Sequence, residues 1–106
     1  MNTTKDKDMA IIIINQLAGN INRLKAMIGA YNFIAHENGS VSFRFKCKNK
    51  LSANYCKITL NGLDLYNIEF KRIHGSKITL KNSSNNLYSD MLTKYFESNT
   101  GLFLSL

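Results

Sequence analysis

Proline and tryptophan are absent from this sequence of 106 residues, and only two cysteines and seven acidic residues occur in it. Without proline, the chain has no proline-built turn or rigid linker. The longest apolar run, Met9–Ile14, is far shorter than the roughly 20 residues that a membrane-spanning helix needs, and no signal-peptide cleavage site follows it. Two cysteines fit a reducing cytosol better than a disulfide scaffold. We therefore expect an unexported, cytoplasmic protein with no membrane partner.

Positive charge is concentrated in the middle of the chain. The net charge is +7, and residues 40–81 carry nine cationic and two anionic side chains, whereas residues 1–39 and 82–106 have net charges of only +1 and −1. Such a block favours an anionic partner, of which nucleic acid is the commonest. The alternative, that the charge serves only solubility, stays open at this point.

The N-terminal part of the chain has weaker signals. Residues 1–8 are polar, and we expect a flexible N-terminus there, followed by a single domain over residues 9–106. Four consecutive isoleucines favour a strand, but Asp8 in an N-cap position favours a short buried helix over Met9–Leu17. The pattern of residues 21–28 fits a helix and an extended segment equally well.

From residue 40 onward, alternation of apolar and polar residues predicts β-strands. The first predicted strand, Ser40–Lys48, places Phe43 and Phe45 on its inner face. Asn61-Gly62 predicts a type I′ turn, because both central positions of that turn need a positive φ. The other predicted strands are Asn54–Leu60, Tyr66–Phe70 and Lys77–Lys81, and a turn at His74–Ser76 joins the last two.

The two cysteines add a prediction of the strand register. A symmetric hairpin between the first two predicted strands, centred between Leu51 and Ser52, pairs Cys47 with Cys56. Alternation along each strand also places both cysteines on the inner face. We therefore expect two buried and adjacent thiols.

The C-terminal quarter predicts a loop, a helix and an apolar tail. Residues 82–86 are polar, residues 87–96 carry apolar side chains at helical spacing, and Asn99 and Gly101 are expected to end the helix. The tail, residues 101–106, is expected to dock on this chain or on a second copy. Together these signals predict an α+β domain, a four-stranded antiparallel meander with helices packed on one face and the other face open to solvent.

The candidate binding residues are mostly basic and belong to the outward side of the predicted strands. Arg44, Lys46 and Lys48 alternate with the apolar residues of the first strand. Side chains on one strand face repeat about every 6.6–6.8 Å, a spacing comparable with that of phosphates along a nucleic acid strand. The full candidate set for nucleic-acid or effector binding is Arg44, Lys46, Lys48, Lys50, Tyr55, Lys57, Lys71, Arg72 and Lys77, in which the tyrosine is the residue suited to stack on a base. The last three flank the predicted turn at His74, where they either extend the patch or only solubilise a hairpin tip.

No constellation in the sequence indicates a catalytic or metal centre. The candidate metal ligands Cys47, Cys56, His36 and His74 lack the CxxC or HxxxH spacings of strong sites. No Ser-His-Asp order, paired-carboxylate motif or phosphate loop occurs. We therefore expect a protein that is not an enzyme and that uses no metal, no cofactor and no small-molecule substrate.

Five segments along the chain form a recognisable series. They are QLAGN (16–20), MIGAYNF (27–33), NYCKITLNGLDLYNIEF (54–70), LYSDML (87–92) and TGLFLSL (100–106). In this order and spacing they resemble a widespread family of small proteins from phages, prophages and other mobile elements. The resemblance covers nearly all of the chain after residue 10, and KITLNGLDLY and TGLFLSL are its most specific motifs. These motifs are structural, so the resemblance implies no catalytic residues, and the basic run of residues 44–50 is not among them.

The resemblance implies an anti-defence role. Small proteins without catalytic sites from such elements often inhibit host defences, and anti-CRISPR proteins, including inhibitors of the type VI RNA-guided RNA nucleases, are similar in size and character. The implied function is stoichiometric inhibition in the bacterial host cytoplasm, with a CRISPR effector nucleoprotein or its guide RNA as the partner. The alternative is a generic nucleic-acid-binding accessory protein of a phage or mobile element. The sequence leaves the oligomeric state open.

Overall fold

Five strands form one antiparallel sheet in the computed structural model, which describes residues 4–104. The strands lie across the sheet in chain order, β1-β2-β3-β4-β5. The elements are α1 (Thr4–Ala18), α2 (Ile21–Ile28), β1 (Tyr31–His36), β2 (Ser40–Arg44), β3 (Tyr55–Leu60), β4 (Tyr66–His74), β5 (Lys77–Leu87), a 3₁₀ turn (Ser89–Met91) and α3 (Leu92–Thr100). The predicted α+β meander is confirmed, and the number of strands is corrected from four to five.

The additional strand is β1, which pairs with β2 at one edge of the sheet. The pairing is irregular between Tyr31 and Ile34, where Asn32 has a φ of 57° and forms a bulge. Two sequence signals point to this strand: its tyrosine, phenylalanine and isoleucine suit a pleated sheet, and Asn38-Gly39 follows it at the hairpin turn. Gly39 has a φ of 75° in that turn.

The strand β2 ends at Arg44, well before the predicted end at Lys48. The backbone N–H groups of Lys46 and Cys47 both donate to the carbonyl of Ile28, each at 3.2 Å, so the chain turns away from the sheet towards the end of α2. The loop that follows is organised by the Asn49 side chain. Its amide donates to the carbonyls of residues 47 and 53, and its oxygen accepts from the N–H groups of residues 51 and 53.

This early turn also changes the register of the hairpin. Cys56 pairs with Phe43 on one side and with Phe70 on the other. Cys47 is exposed and Cys56 is buried. The prediction of two adjacent buried thiols is therefore wrong, because it assumed that both strands continue to the middle of the connection.

The connection between β3 and β4 is longer than the predicted type I′ turn. The N–H of Asn61 donates to the carbonyl of Leu65 at 2.8 Å, and the positive φ lies at Asp64, at 60°. The side-chain oxygen of Asn61 accepts from the N–H groups of Leu63 and Leu65. An asparagine side chain that bonds the backbone two residues on is itself a turn signal, so the dipeptide predicted the turn but not its type.

The C-terminal elements are displaced from their predicted bounds. The strand β5 continues to Leu87 through polar residues 82–86 that were predicted to form a loop. Polar side chains are tolerated there because β5 is an edge strand. Consequently α3 begins at Leu92, and it ends as predicted before Gly101, which has a φ of 77°.

Both N-terminal segments are helical. The helix predicted over residues 9–17 is present, but it is not buried on all sides, since Ile11 and Ile12 are 55% and 53% exposed. It also begins at Thr4, inside the segment predicted to be flexible, and residues 1–3 lie outside the described part. Residues 21–28 form α2, whose N–H at Arg23 donates to the Asn20 side chain at 2.8 Å. No helix within residues 4–104 is long and apolar enough to cross a membrane.

Aromatic rings join the helices to the inner face of the sheet. Phe96 of α3 lies between Phe45 and Phe70, with ring centroids 6.0 and 5.4 Å away, and all three side chains are buried. Of the tail residues that the structure describes, Leu104 is buried in this chain, and its N–H donates to the Glu97 carboxylate. The buried core lies on this side of the sheet. The opposite face was predicted to be open to solvent, but the side chains of Ser40 and Ser42, which belong to it, are buried, so that face is open only in part.

Candidate nucleic-acid interface

The outward side of the sheet, called the open face below, is built by strand alternation. Residues paired across an antiparallel sheet share a face, so the register defines its members. They are Tyr31, Ile34 and His36 of β1, Ser40, Ser42 and Arg44 of β2, Tyr55, Lys57 and Thr59 of β3, Asn67, Glu69, Lys71 and Ile73 of β4, and Ile78, Leu80 and Ser83 of β5. The open face therefore combines cationic, aromatic and aliphatic side chains.

One line of paired residues crosses all five strands, and its members on the first four strands alternate aromatic with cationic side chains. This central row runs Tyr31, Arg44, Tyr55, Lys71, Leu80. Neighbouring strands lie about 4.7–4.9 Å apart, so the two tyrosines are separated by one arginine and roughly 9.5 Å. The central row offers two ring faces, with a cation between them and a cation beyond.

Each tyrosine of the central row has a lysine ammonium over its ring. Lys46 Nζ lies 5.2 Å from the ring centroid of Tyr31, and Lys71 Nζ lies 5.8 Å from that of Tyr55. Such contacts are worth about 0.5–1 kcal/mol at exposed sites. The two lysines are therefore held near the row by weak contacts that a stronger anionic ligand can replace.

Arg44 lies between the two tyrosines in a half-buried position. Its Nε atom is shielded from solvent and has no hydrogen-bond partner among the described residues. A shielded donor without a partner costs free energy, and native structures contain few such groups. The Nε–H of Arg44 is thus a shielded donor without an acceptor among the described residues.

A second group of polar side chains lies at one end of the open face. His36 Nε2 and Ser42 Oγ are 2.9 Å apart and share a hydrogen bond. Burial, and then the positive charge of Lys57, lower the pKa of His36 below its ordinary value. The imidazole is therefore neutral at neutral pH, and it adds hydrogen-bonding capacity to the face without adding charge.

A carboxylate moderates the charge of the open face. Glu69 pairs with Lys57 in the sheet register, and its Oε2 atom lies 3.8 Å from Lys71 Nζ. An ion pair at such an exposed site contributes at most about 1 kcal/mol. Among the described residues of the face and its border, Arg44, Lys46, Lys57 and Lys71 are cationic against this one anion.

The predicted binding residues divide into two groups. Arg44, Tyr55, Lys57 and Lys71 lie together on the open face, and Lys46 borders it through its contact with Tyr31. The remaining four, Lys48, Lys50, Arg72 and Lys77, lie elsewhere, so the structure does not bring them into one patch with the others.

Each residue of the second group has a structural reason for its position. Lys48 is exposed in the loop after β2. Lys50 lies against Gly101 at the end of α3, on the helix side. Arg72 and Lys77 belong to the β4–β5 hairpin, where alternation places their side chains on the face of the sheet opposite to that of Lys71.

Sequence reasoning missed Tyr31, because β1 was not predicted. Its side chain is 40% exposed and shares the central row with Tyr55. It also missed the aliphatic end of the face, where Ile78 and Leu80 are 62% and 56% exposed. Alternation could not identify Tyr31, because the register shift between Tyr31 and Ile34 breaks the period of two, and alternation alone does not say which face of β5 is turned outward.

Comparison with known proteins adds no further evidence on the site. No protein-family model, no curated protein and no solved structure matches the chain. Within the part of the chain that the structure describes, no group of three or more histidine, cysteine or acidic side chains is placed to hold a metal ion. The description of the site therefore rests on its own geometry.

Proposed function

We propose that this protein binds RNA through the open face of its sheet, and that it acts as an anti-CRISPR protein by binding the guide RNA of an RNA-guided nuclease effector. The binding is stoichiometric and needs no chemistry from the protein. The observation that carries the RNA-binding part is the central row, in which Tyr31, Arg44, Tyr55 and Lys71 alternate ring and cation across adjacent strands. Sheets that present aromatic and basic side chains on an open face are a recurring solution for RNA recognition.

The physical basis of the proposal is that the two kinds of side chain act on different parts of a nucleotide. Cations neutralise phosphates and release bound counterions, which makes the affinity fall with salt concentration. Aromatic rings stack on bases with little regard to sequence. A face that has both kinds of side chain suits an RNA whose sequence varies from target to target, as that of a guide RNA does.

The anti-defence setting rests on the resemblance to small proteins of phages and mobile elements. In that setting the open face competes for the guide RNA, or holds the bound guide in a non-productive complex. The second mode, which is the one proposed, predicts a complex with one effector, in which the protein contacts the exposed part of the guide. The type VI effectors, which are RNA-guided RNA nucleases, are the class proposed.

The alternative proposal is a generic nucleic-acid-binding accessory protein of a phage or mobile element. The same central row supports it, because stacking and phosphate contacts do not require a protein target. The two proposals differ in one respect: the accessory protein has only nucleic acid as a partner, whereas the inhibitor has a nucleoprotein.

Affinity capture from host cells separates the two proposals. The tagged protein is recovered from lysate divided into two halves, one of which is treated with nuclease. The inhibitor proposal predicts one effector in both halves, because the effector protects its bound guide. Loss of every partner after nuclease treatment supports the accessory protein, and capture of no nucleic acid or nucleoprotein in either half contradicts both.

Inhibition is then measured directly. The purified protein is added to a guide-loaded type VI effector, and cleavage of target RNA is followed while the protein-to-effector ratio is varied. A stoichiometric inhibitor stops cleavage near an equimolar ratio and without destroying the guide. Cleavage that continues at a large excess of the protein contradicts the inhibitor proposal for that effector.

A further inference from the structure

We propose that the ligand of the central row is an unpaired single strand, with one base stacked on Tyr31, a second base stacked on Tyr55, and Arg44 contacting the chain between them. This inference rests on the proposed nucleic-acid-binding function and specifies the form of the ligand. The shared chemistry is that of single-stranded RNA or single-stranded DNA. Duplexes are excluded as ligands of the row.

The spacing of the two rings excludes a duplex. Tyr31 and Tyr55 lie on strands separated by β2, which puts their backbones roughly 9.5 Å apart. Consecutive bases in a duplex strand are stacked about 3.4 Å apart, and each base is already covered on both faces by its neighbours. Two rings side by side on a sheet can reach base faces only where the bases are unstacked and splayed apart, as in single strands.

The lysines over the rings can leave the ring faces when bases stack there. Lys46 Nζ and Lys71 Nζ now cover the ring faces of Tyr31 and Tyr55 at 5.2 and 5.8 Å. When a base takes that place, each ammonium moves by a side-chain rotation to the phosphate of the same nucleotide. The cation–π contact is then replaced by a stacking contact and an ionic contact, so the row needs no backbone movement.

The arginine between the rings completes the path of the strand. Arg44 is the register partner of both tyrosines, and its Nε has no acceptor among the described residues. A nucleotide chain that passes from one ring to the other crosses this guanidinium. A guanidinium presents a planar array of donors that matches phosphate oxygens in two contacts at once.

At its β5 end, the central row offers an apolar surface to the ligand. Beyond Lys71 lies Leu80, which is 56% exposed, beside Ile78 on the same strand face. A base or ribose that passes Tyr55 meets these aliphatic side chains. The negative charge of Glu69 lies in the neighbouring line of paired residues, next to Lys57.

Fluorescence anisotropy with three labelled probes tests the inference. The probes are oligouridine, oligothymidine and an RNA duplex of equal length, each about 15 nucleotides, near the upper range of site sizes for small single-strand-binding domains. At equal salt concentration, we expect at least one of the two single strands to bind about tenfold more tightly than the duplex, or more. The ratio of the two single-strand affinities shows which of these two strands is preferred, and either preference supports the inference.

Tyrosine variants test the stacking itself. Tyr31→Leu and Tyr55→Leu are each expected to weaken single-strand binding about tenfold, by loss of one stacked base, with no change in the salt dependence. Tyr31→Phe and Tyr55→Phe retain a ring and are expected to restore the affinity. Tyr88→Leu is the matched control, because Tyr88 is 63% exposed and lies beyond the end of β5.

The outcomes separate this inference from the proposed function. Salt-dependent binding in which the duplex competes as well as the single strands, or in which both leucine variants bind like the parent, overturns the stacking inference and leaves the function standing. Absence of binding to all three probes at low salt contradicts direct nucleic-acid binding altogether. Circular dichroism of each variant verifies that the fold is retained.

Discussion

Removing the positive charge of the open face should abolish most of the salt dependence of RNA binding. The perturbation is one triple variant, Arg44→Gln with Lys57→Gln and Lys71→Gln, called the face variant. Its control is a second triple variant, Lys48→Gln with Lys50→Gln and Lys77→Gln. Each lowers the net charge of +7 by three, so only the position of the lost charge differs between them.

The magnitude follows from the number of cations near the central row. Four cationic side chains, Arg44, Lys46, Lys57 and Lys71, lie on the face or at its border. If each contacts one phosphate of a single strand, the slope of log affinity against log salt is about −2.8, since each contact contributes about 0.7. A fourfold rise in salt concentration then weakens binding about 50-fold.

The face variant retains only Lys46 of these cations. Its slope should fall to about −0.7, so the same fourfold rise in salt weakens binding only about threefold. The control variant should keep the parent slope, because none of its three lysines lies on the open face. Affinity at the lowest salt concentration should follow the same order, with the face variant weakest.

The assay is anisotropy of labelled oligouridine at several concentrations of sodium chloride. The result that refutes the reasoning is a control variant whose slope falls as much as that of the face variant. Binding would then come from the overall charge of the protein and not from this face. A normal circular dichroism spectrum for both variants is required for the comparison.

Three further predictions concern the core, the thiols and the histidine. Phe96→Ala should lower the free energy of unfolding by about 3–5 kcal/mol, because the ring is buried against Phe45 and Phe70. A urea midpoint equal to that of the parent protein would show that α3 is not anchored as described. Cys47 should react with a thiol reagent in the native protein, whereas Cys56 should react only on unfolding. Burial, and then the nearby Glu69, raise the pKa of Cys56 well above its ordinary value. Equal reaction rates for the two thiols would contradict the strand register of the β2–β3 hairpin. The pKa of His36, followed by NMR, should lie below 6.5 and rise in Lys57→Gln. Because the folded state then binds fewer protons than the unfolded state, the stability that His36 contributes is present above pH 6.5 and is lost as the pH falls below it; a titration midpoint at or above 6.5 contradicts this.

Much of the fold could be predicted from the sequence where one face of an element is apolar. The inward positions of Cys56, Ile58 and Phe70 follow from alternation, and all three are buried. Alternation cannot say where a strand stops, however. The end of β2 at Arg44 depends on hydrogen bonds to the carbonyl of Ile28, a contact between segments that are distant along the chain.

The site could be predicted only in part for a related reason. The sequence places Arg44, Tyr55 and Lys57 on one face because they belong to adjacent strands of a predictable hairpin. It could not supply Tyr31, because β1 is short, half-exposed and interrupted by a bulge at Asn32. Cross-strand neighbours are set by register, and register is a property of the folded sheet.

The central row takes one residue from every strand, and this has a mechanical consequence. A ligand that lies along the row contacts all five strands at once, so it disfavours the local opening of any single hairpin. Backbone amides in β1 and β5, the two outermost strands, should therefore exchange with deuterium more slowly together when the row is occupied. Amide exchange in one edge strand then depends on ligand bound near the other edge strand, although the two strands share no hydrogen bond.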